Sequence, residues 1–212
     1  MADTNTDNEA AKEIKIILLG EAGVGKTNLI RVFFGLDFQD ISESNVSSFS
    51  FQGNFNYGNK SYTYNVWDTA GQERFRSINK IMLKGTNIIL IVYAINNKRS
   101  FEELHFWINF VKENKRNEDY IMAIIGNKLD LFEDQMVMED EAQNLADKYG
   151  IELLITSAKD TPETFKAFLN RLISNYIEKY IVKSNKDRES SKDIIHIKKG
   201  SKGEKAKRKK CC

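Results

Sequence analysis

Ile14-Lys15-Ile16-Ile17-Leu18-Leu19-Gly20-Glu21-Ala22-Gly23-Val24-Gly25-Lys26-Thr27 is the stretch on which the architecture turns. Its first six residues form an apolar run broken by one Lys, as expected of a strand covered on both faces. Its last eight fit G-x-x-x-x-G-K-[ST], a glycine-rich phosphate-binding loop. Beyond Thr27, Leu29, Ile30, Phe33 and Phe34 recur at helical spacing. Strand, glycine turn and helix is the context this motif requires. Backbone N–H groups freed by the glycines, together with the helix N-terminus, can close around phosphate oxygens. In that role Glu21, Ala22, Gly23, Val24, Gly25, Lys26, Thr27 and Asn28 line the phosphates. Lys26 would neutralise the β- and γ-phosphates, and the Thr27 hydroxyl would ligate Mg²⁺. Four fixed positions match a chain of this size by chance with probability below about one per cent.

The loop specifies a nucleoside triphosphate and leaves the base open. Asn127-Lys128-Leu129-Asp130 addresses the base. A carboxylate takes two hydrogen bonds only from an edge with two donors. Guanine offers N1–H and N2–H₂, whereas adenine presents a bare acceptor at N1. A site whose polar group is left unpaired by the wrong ligand discriminates strongly. Asn127, Lys128 and Asp130 are therefore the candidate guanine-reading residues, and GTP or GDP the expected ligand.

Outward from these motifs the chain alternates strand-like and helix-like segments, which implies an α/β fold. The expected sheet is six-stranded and mostly parallel, with helices on both faces. Strands are expected at 14–19, 48–56, 61–67, 87–95, 121–126 and 151–156. Helices are expected at 26–35, 77–84, 100–115, 138–149 and 163–181. Tyr57-Gly58-Asn59-Lys60 reads as a hairpin turn, making 48–56 the one antiparallel strand. Thr161 can cap the last helix, and Pro162 suits its first turn. Phe101, Leu104, His105, Ile108 and Val111 follow helical spacing and read as core or near-core, and Trp107 reads as packing. In open sheets of this kind ligands sit beyond the carboxyl ends of the strands. The loops after Leu19, Trp67, Gly126 and Thr156 should therefore share one edge.

The 212 residues, 41% of them hydrophobic, suffice for one full core. The longest clean apolar run, Ile88 to Ile95, is far short of the ~20 residues a membrane span needs. Residues 1–12 are polar and acidic and read as a disordered N-terminal arm without a secretory signal. The nucleotide-binding domain is expected over 13–183. From Ser184 to Cys212 there are 11 Lys/Arg against 4 Asp/Glu, so this tail carries +7 within a chain of formal charge +2. Such a composition cannot bury a core, and 184–212 reads as a flexible basic tail. Its charge run has no interleaved aromatics, so nucleic acid is not the expected partner. The only cysteines are Cys211 and Cys212, which leaves no fold-stabilising disulfide and suits a reducing compartment. His105 and His196 lack companions for a zinc site.

Trp67-Asp68-Thr69-Ala70-Gly71-Gln72-Glu73-Arg74-Phe75 follows the third strand. Asp68 at a strand end is placed for an outer contact to Mg²⁺, Gly71 for a backbone N–H on the γ-phosphate, and Gln72 for orienting an attacking water. Alone, Asp-Thr-Ala-Gly could be a simple turn; behind a phosphate loop the functional reading prevails. Thr156-Ser157-Ala158-Lys159, by composition equally a loop, could offer the Ala158 N–H to guanine O6 and pack Lys159 on the ring.

Together these residues resemble the Ras superfamily of small GTPases, and within it the Rab family, over about residues 13–180. Trp67 to Ile78 and the Cys-Cys end are specifically Rab-like. The resemblance implies a six-stranded sheet with five helices and a GTP/GDP cycle with slow intrinsic hydrolysis. It also implies switch segments beside the γ-phosphate and a monomer on the cytoplasmic face of an intracellular membrane, cycling with cytosol and regulating vesicle traffic. It implies two prenyl groups on Cys211 and Cys212, and an exchange factor, a GTPase-activating protein, an escort protein and a dissociation inhibitor as partners. Phe38 resembles the aromatic that packs edge-on against guanine, although a Phe just past the first helix also reads as core.

Departures from the family pattern matter as much. Asn45 stands where the first switch carries a Thr that ligates Mg²⁺; its amide oxygen can ligate, but sits one bond further from the backbone. Met82-Leu83 replaces an aromatic pair, and Ala94 an acidic residue, on what the family uses as a partner surface. Two function classes follow: a GTP-hydrolysing switch, favoured by Asp68, Gly71 and Gln72, and a guanine-nucleotide-binding scaffold that hydrolyses or switches little, favoured by Asn45. A P-loop kinase is disfavoured, since it leaves Asn127-Lys128-Leu129-Asp130 unexplained.

Overall fold

The computed structural model describes residues 13–40, 50–69 and 76–183, with side chains at 76–79 left aside. The expected N-terminal arm, Asn45, Gly71, Gln72 and the tail with Cys211 and Cys212 lie outside the described residues. The chain divides into two units, 1–176 and 177–212. In the second, a π-helical turn, Ile177–Val182, is the one element described.

The first unit is built on a six-stranded sheet. Its strands are β1 (Ile14–Leu19), β2 (Ser50–Tyr57), β3 (Lys60–Trp67), β4 (Ile88–Ala94), β5 (Ile121–Asn127) and β6 (Glu152–Ile155), in the order β2-β3-β1-β4-β5-β6. Every pairing is parallel except β2 with β3, which close a hairpin in which Tyr57 faces Lys60. The expected turn and the expected antiparallel strand are both present. The helices are α1 (Lys26–Phe33), α2 (Arg76–Leu83), α3 (Lys98–Glu102), α4 (Leu104–Asn114), α5 (Glu139–Tyr149) and α6 (Pro162–Tyr176). No helix among the described residues is long and apolar enough to cross a membrane.

Alternation along β1 divides the core. Ile17 and Leu19 join one apolar cluster with Leu104, Trp107, Ile108, Val111 and Ala142 from α4 and α5. On the opposite face α1 packs on α6, and the rings of Phe33 and Phe165 meet edge to face. Each fully buried Leu, Ile or Phe contributes about 1.5–3 kcal/mol, so coverage of both faces explains why the central strands are apolar almost throughout.

Several expectations need correction. The single helix expected over 100–115 starts earlier and breaks at Glu103. Asn97 caps α3 by accepting from the Ser100 N–H at 3.1 Å, while Ser100 Oγ donates to Asn97 O at 2.7 Å. His105 is exposed rather than near-core, with Nδ1 3.0 Å from the Tyr149 hydroxyl. Residues 101, 104, 108 and 111 already complete the inward stripe, leaving position 105 at its edge. The helix expected over 163–181 ends as an α-helix at Tyr176. A 3-10 helix, Leu129–Asp134, was not expected; it begins where Lys128 takes a left-handed backbone, φ 70°.

The start of β1 and the end of α4 hold the carboxyl end of α2. Lys15 Nζ donates to Met82 O at 2.6 Å and to Lys84 O at 3.1 Å. Lys115, wholly buried, donates to Leu83 O at 3.3 Å and pairs with Glu118. Burial, and next the Lys115 charge, hold the Lys15 ammonium below the usual lysine range. Cations on the last carbonyls of a helix also oppose its dipole favourably.

Candidate functional site

All five parallel strands point their carboxyl ends to one edge, and the four loops expected there are there. The phosphate loop enters α1 through Gly25 at φ 93°. A Cβ at Gly25 would lie 2.3 Å from Asn127 Nδ2, and one at Gly20 would lie 2.1 Å from Val92 O. Both glycines are thus required by close approach as well as by backbone angle. Lys26, 3% exposed, arches over the loop and donates to Gly20 O at 3.0 Å and Glu21 O at 2.8 Å. The ammonium is held at the loop's rim, close to the helix N-terminus.

Thr27 Oγ1 donates to Asp68 Oδ2 at 2.7 Å, so the two described candidates for Mg²⁺ stand one hydrogen bond apart. A hydroxyl and a carboxylate are hard oxygen donors. Mg²⁺ takes few protein ligands and completes its octahedron with water and phosphate oxygens, so this pair fits it. No larger cluster of His, Cys, Asp and Glu that could hold a metal occurs among the described residues. Neighbouring Thr69 donates to Leu18 O at 2.6 Å, fixing the start of the Asp68 loop on β1.

Asn127 joins the phosphate loop to the base-reading loops. Nearly fully buried, it donates from Nδ2 to Val24 O at 2.8 Å and accepts at Oδ1 from the Ala158 N–H at 3.1 Å. The Ala158 donor, expected for guanine O6, is thus directed to Asn127 here. A carbonyl arriving at the same N–H would share that donor.

Ser157 aims Asp130. Its hydroxyl donates to Asp130 Oδ1 at 2.5 Å and accepts from the backbone N–H groups of Lys159 and Asp160. Among the described residues no donor reaches Asp130 Oδ2. Thr161, expected as a helix cap, accepts from the Ser157 N–H at 3.0 Å, bracing the same loop. Burial holds the half-buried Lys128 ammonium below the usual lysine range, with the Asp130 charge acting the other way.

Phe38 is only partly buried and is absent from the core, so its reading as a core residue does not hold. Lys159 Nζ lies 5.9 Å from the centre of its ring. Asn28 fixes that segment from below: Nδ2 donates to Gln39 O at 2.8 Å, and Oδ1 accepts from the Gln39 N–H at 3.1 Å. Phe38, Lys128, Asp130, Ala158 and Lys159 therefore come from three loops to the base side of the edge.

The residues 15–178 match the model of the Ras family. The chain belongs to the Rab branch of the Ras-family small GTPases. It is 34% identical over 162 residues to Ras-related protein RGP2 of Oryza sativa, covering 76% of this chain and 74% of that one. It is 32% identical over 169 residues to Ras-related protein RABA6a of Arabidopsis thaliana, covering 80% and 72%. It is 32% identical over 182 residues to GTP-binding protein ypt3 of Schizosaccharomyces pombe, covering 86% and 83%. Members of this family bind GTP and GDP with Mg²⁺ and hydrolyse GTP.

Against that Rab background the substitutions at Met82, Leu83 and Ala94 change meaning. All three are buried here, Met82 at 9% exposure and the others almost completely. They therefore lie in the interior and present no new groups on the surface expected to meet partners.

What sequence reasoning missed is the bracing. Ser157 and Asn28 are both expected at the nucleotide, and their side chains also act here on Asp130 and on the Phe38 segment. No local pattern announces either contact, since each partner lies on another loop.

Proposed function

We propose that this chain is a membrane-anchored guanine-nucleotide switch that binds GTP and hydrolyses it slowly, as a Rab-like regulator of vesicle traffic. The observation that carries the reading is Asn127, which ties the phosphate loop at Val24 to the base-reading loop at Ala158. One rigid unit then reads both ends of a nucleotide, so base identity and phosphate occupancy are sensed together.

In this reading Lys26 and the N–H groups of residues 21–28 hold the phosphates. Asp130, oriented by Ser157, accepts guanine N1–H and N2–H₂, and Phe38 and Lys159 flank the ring. Thr27 and Asp68, joined by Asn45 from the first switch, would hold Mg²⁺, which supplies charge neutralisation to the phosphate oxygens. Gly71 offers its N–H to the γ-phosphate, and Gln72 orients the attacking water. The resemblance implies slow unaided hydrolysis, on the order of 10⁻⁴ s⁻¹, which a GTPase-activating protein raises. An exchange factor reverses the cycle.

Cys211 and Cys212 carry two prenyl groups, because one lipid gives only reversible binding and two signals give stable anchoring. Lys205, Lys207, Arg208, Lys209 and Lys210 add about 1 kcal/mol per charge near an anionic cytoplasmic leaflet. An escort protein and a dissociation inhibitor handle the lipidated chain, which acts as a monomer over the domain 13–183 and tail 184–212. The rival reading, a nucleotide-binding scaffold with little hydrolysis, rests on Asn45.

Single-turnover GTP hydrolysis by the wild type and by Gln72→Leu separates the two. The switch reading expects slow cleavage that the leucine variant loses; equal rates for both proteins defeat it. The anchor is tested by Cys211→Ser with Cys212→Ser, which should leave the protein in the soluble fraction of a cell lysate.

A further inference from the structure

The segment between β5 and α5 breaks two local rules at once. The first concerns exposure. Phe132, Met136 and Met138 are 63%, 61% and 63% exposed, and Leu129 and Leu131 are each more than a third exposed. Single exposed apolar residues are ordinary, whereas a contiguous group on a soluble domain marks a contact surface. Contiguity follows from the backbone. Residues Gln135 and Met138 are extended, and Val137 between the methionines is buried. With side chains alternating, Met136 and Met138 project to the solvent side opposite Val137. Phe132 lies one backbone turn before them, its carbonyl accepting from the Gln135 N–H at 3.2 Å.

The second rule concerns capping. Met138 occupies the N-cap of α5 and makes no side-chain cap bond. Ser, Thr, Asp or Asn there would stabilise the helix by about 1 kcal/mol. A large apolar residue therefore stands exposed where the fold itself would favour a small polar one.

Charge defines what would cover the patch. From Asp130 to Glu141 the chain carries six acidic residues and no Lys or Arg. Glu139, Asp140 and Glu141 suit the first turn of a helix, and Glu141 pairs with Lys98. Glu133 and Asp134 lie outside that turn, so the helix dipole does not explain them. No cation among the described residues pairs with Glu133, Asp134, Glu139 or Asp140. Methionines adapt to varied apolar partners, and an acidic rim favours cationic ones.

We propose that Phe132, Met136 and Met138, rimmed by Glu133, Asp134, Glu139 and Asp140, form a docking surface for a basic amphipathic helix of a partner protein. The apolar face of such a helix would lie on the methionines and its Lys or Arg would meet the rim. The surface begins two residues after Asp130, so its occupant sits beside the base-reading loop without entering the nucleotide edge.

The test uses the full, unlipidated chain loaded with GDP and a fluorescent helical peptide carrying Leu on one face and Lys on the other. A scrambled peptide and a Leu/Glu counterpart serve as controls. The wild type should bind the Leu/Lys peptide in preference to both controls at about 0.15 M salt. Phe132→Ser with Met136→Ser and Met138→Ser should weaken binding by about tenfold or more, with GDP affinity unchanged. Glu133→Lys with Asp134→Lys should weaken it and reduce its salt dependence. Equal binding by wild type and the triple-serine variant overturns the proposal, as does equal binding of the Leu/Glu peptide. Concentration-dependent dimerisation, or pelleting with neutral phosphatidylcholine vesicles, that the triple-serine variant abolishes would assign the surface to a second copy or to a membrane instead, and equally overturns it.

Discussion

Two corners of the sheet bury polar side chains, at opposite ends of the parallel strands, and only one of them is the proposed nucleotide site. At the base-reading corner Asn127, Ser157 and Thr161 form a network that ends on Asp130, whose Oδ2 no described donor reaches. At the α2 corner Lys15 and Lys115 are just as networked, yet their donors end on the carbonyls of residues 82–84 and on Glu118. The first network closes around a group with bonding capacity to spare; the second closes on itself. A buried polar cluster alone therefore says little about function. What distinguishes a site is an oriented group that its own fold leaves partly unpaired.

Exchanging the reading group should break this contrast most sharply. Xanthine carries a carbonyl where guanine has its 2-amino group. Asp130→Asn should therefore lower GTP affinity by on the order of a thousandfold and raise XTP affinity in equilibrium titrations, since a mismatched buried polar group is heavily penalised. Unchanged GTP affinity would mean that the base corner is as self-contained as the α2 corner. Removing the joint, Asn127→Ala, leaves Val24 O and the Ala158 N–H without their partner. It should cost about 2–3 kcal/mol in denaturant unfolding and weaken GTP and GDP to a similar degree.

On the other side of the comparison, Lys115→Ala should cost about 2 kcal/mol through lost packing and lost carbonyl bonds. The ratio of GTP to XTP affinity should not move; a shift in that ratio would connect the two corners. The smallest effect belongs to Tyr93, which is buried beneath Gly126 with a hydroxyl that no described residue pairs. Tyr93→Phe should stabilise the fold by about 0.5–1 kcal/mol, because an unpaired buried hydroxyl is a net cost. Burial, then the charges of Glu139 and Glu141, raise this phenol well above its ordinary range. The folded state thus favours the neutral phenol, so wild-type stability is full below pH about 10 and declines above it. Thermal unfolding across that range should show a shallower decline for Tyr93→Phe.

Some of this was legible in residue order and some was not. Local pattern located the glycine turn between β1 and α1, the hairpin at Gly58 and the shared edge of the strands, because each is set by neighbours in sequence. The helix expected over 100–115 differs in its start and its continuity, since the Asn97–Ser100 cap reads as a loop until its hydrogen bonds are seen. His105 and Phe38 were ambiguous for a related reason: spacing places a residue near a stripe without saying what packs on the far side.

By itself, then, the sequence determined the α/β order, the guanine-nucleotide chemistry and the family, since these depend on residue types at short spacing. Only tertiary structure decided that Asn127 clasps Val24 to Ala158, that Ser157 orients Asp130, that Met82, Leu83 and Ala94 lie inside, and that Phe132, Met136 and Met138 lie outside. Those facts depend on distances between segments remote in sequence. The spacing of residues along one chain does not encode such distances until burial of the two apolar faces fixes the sheet.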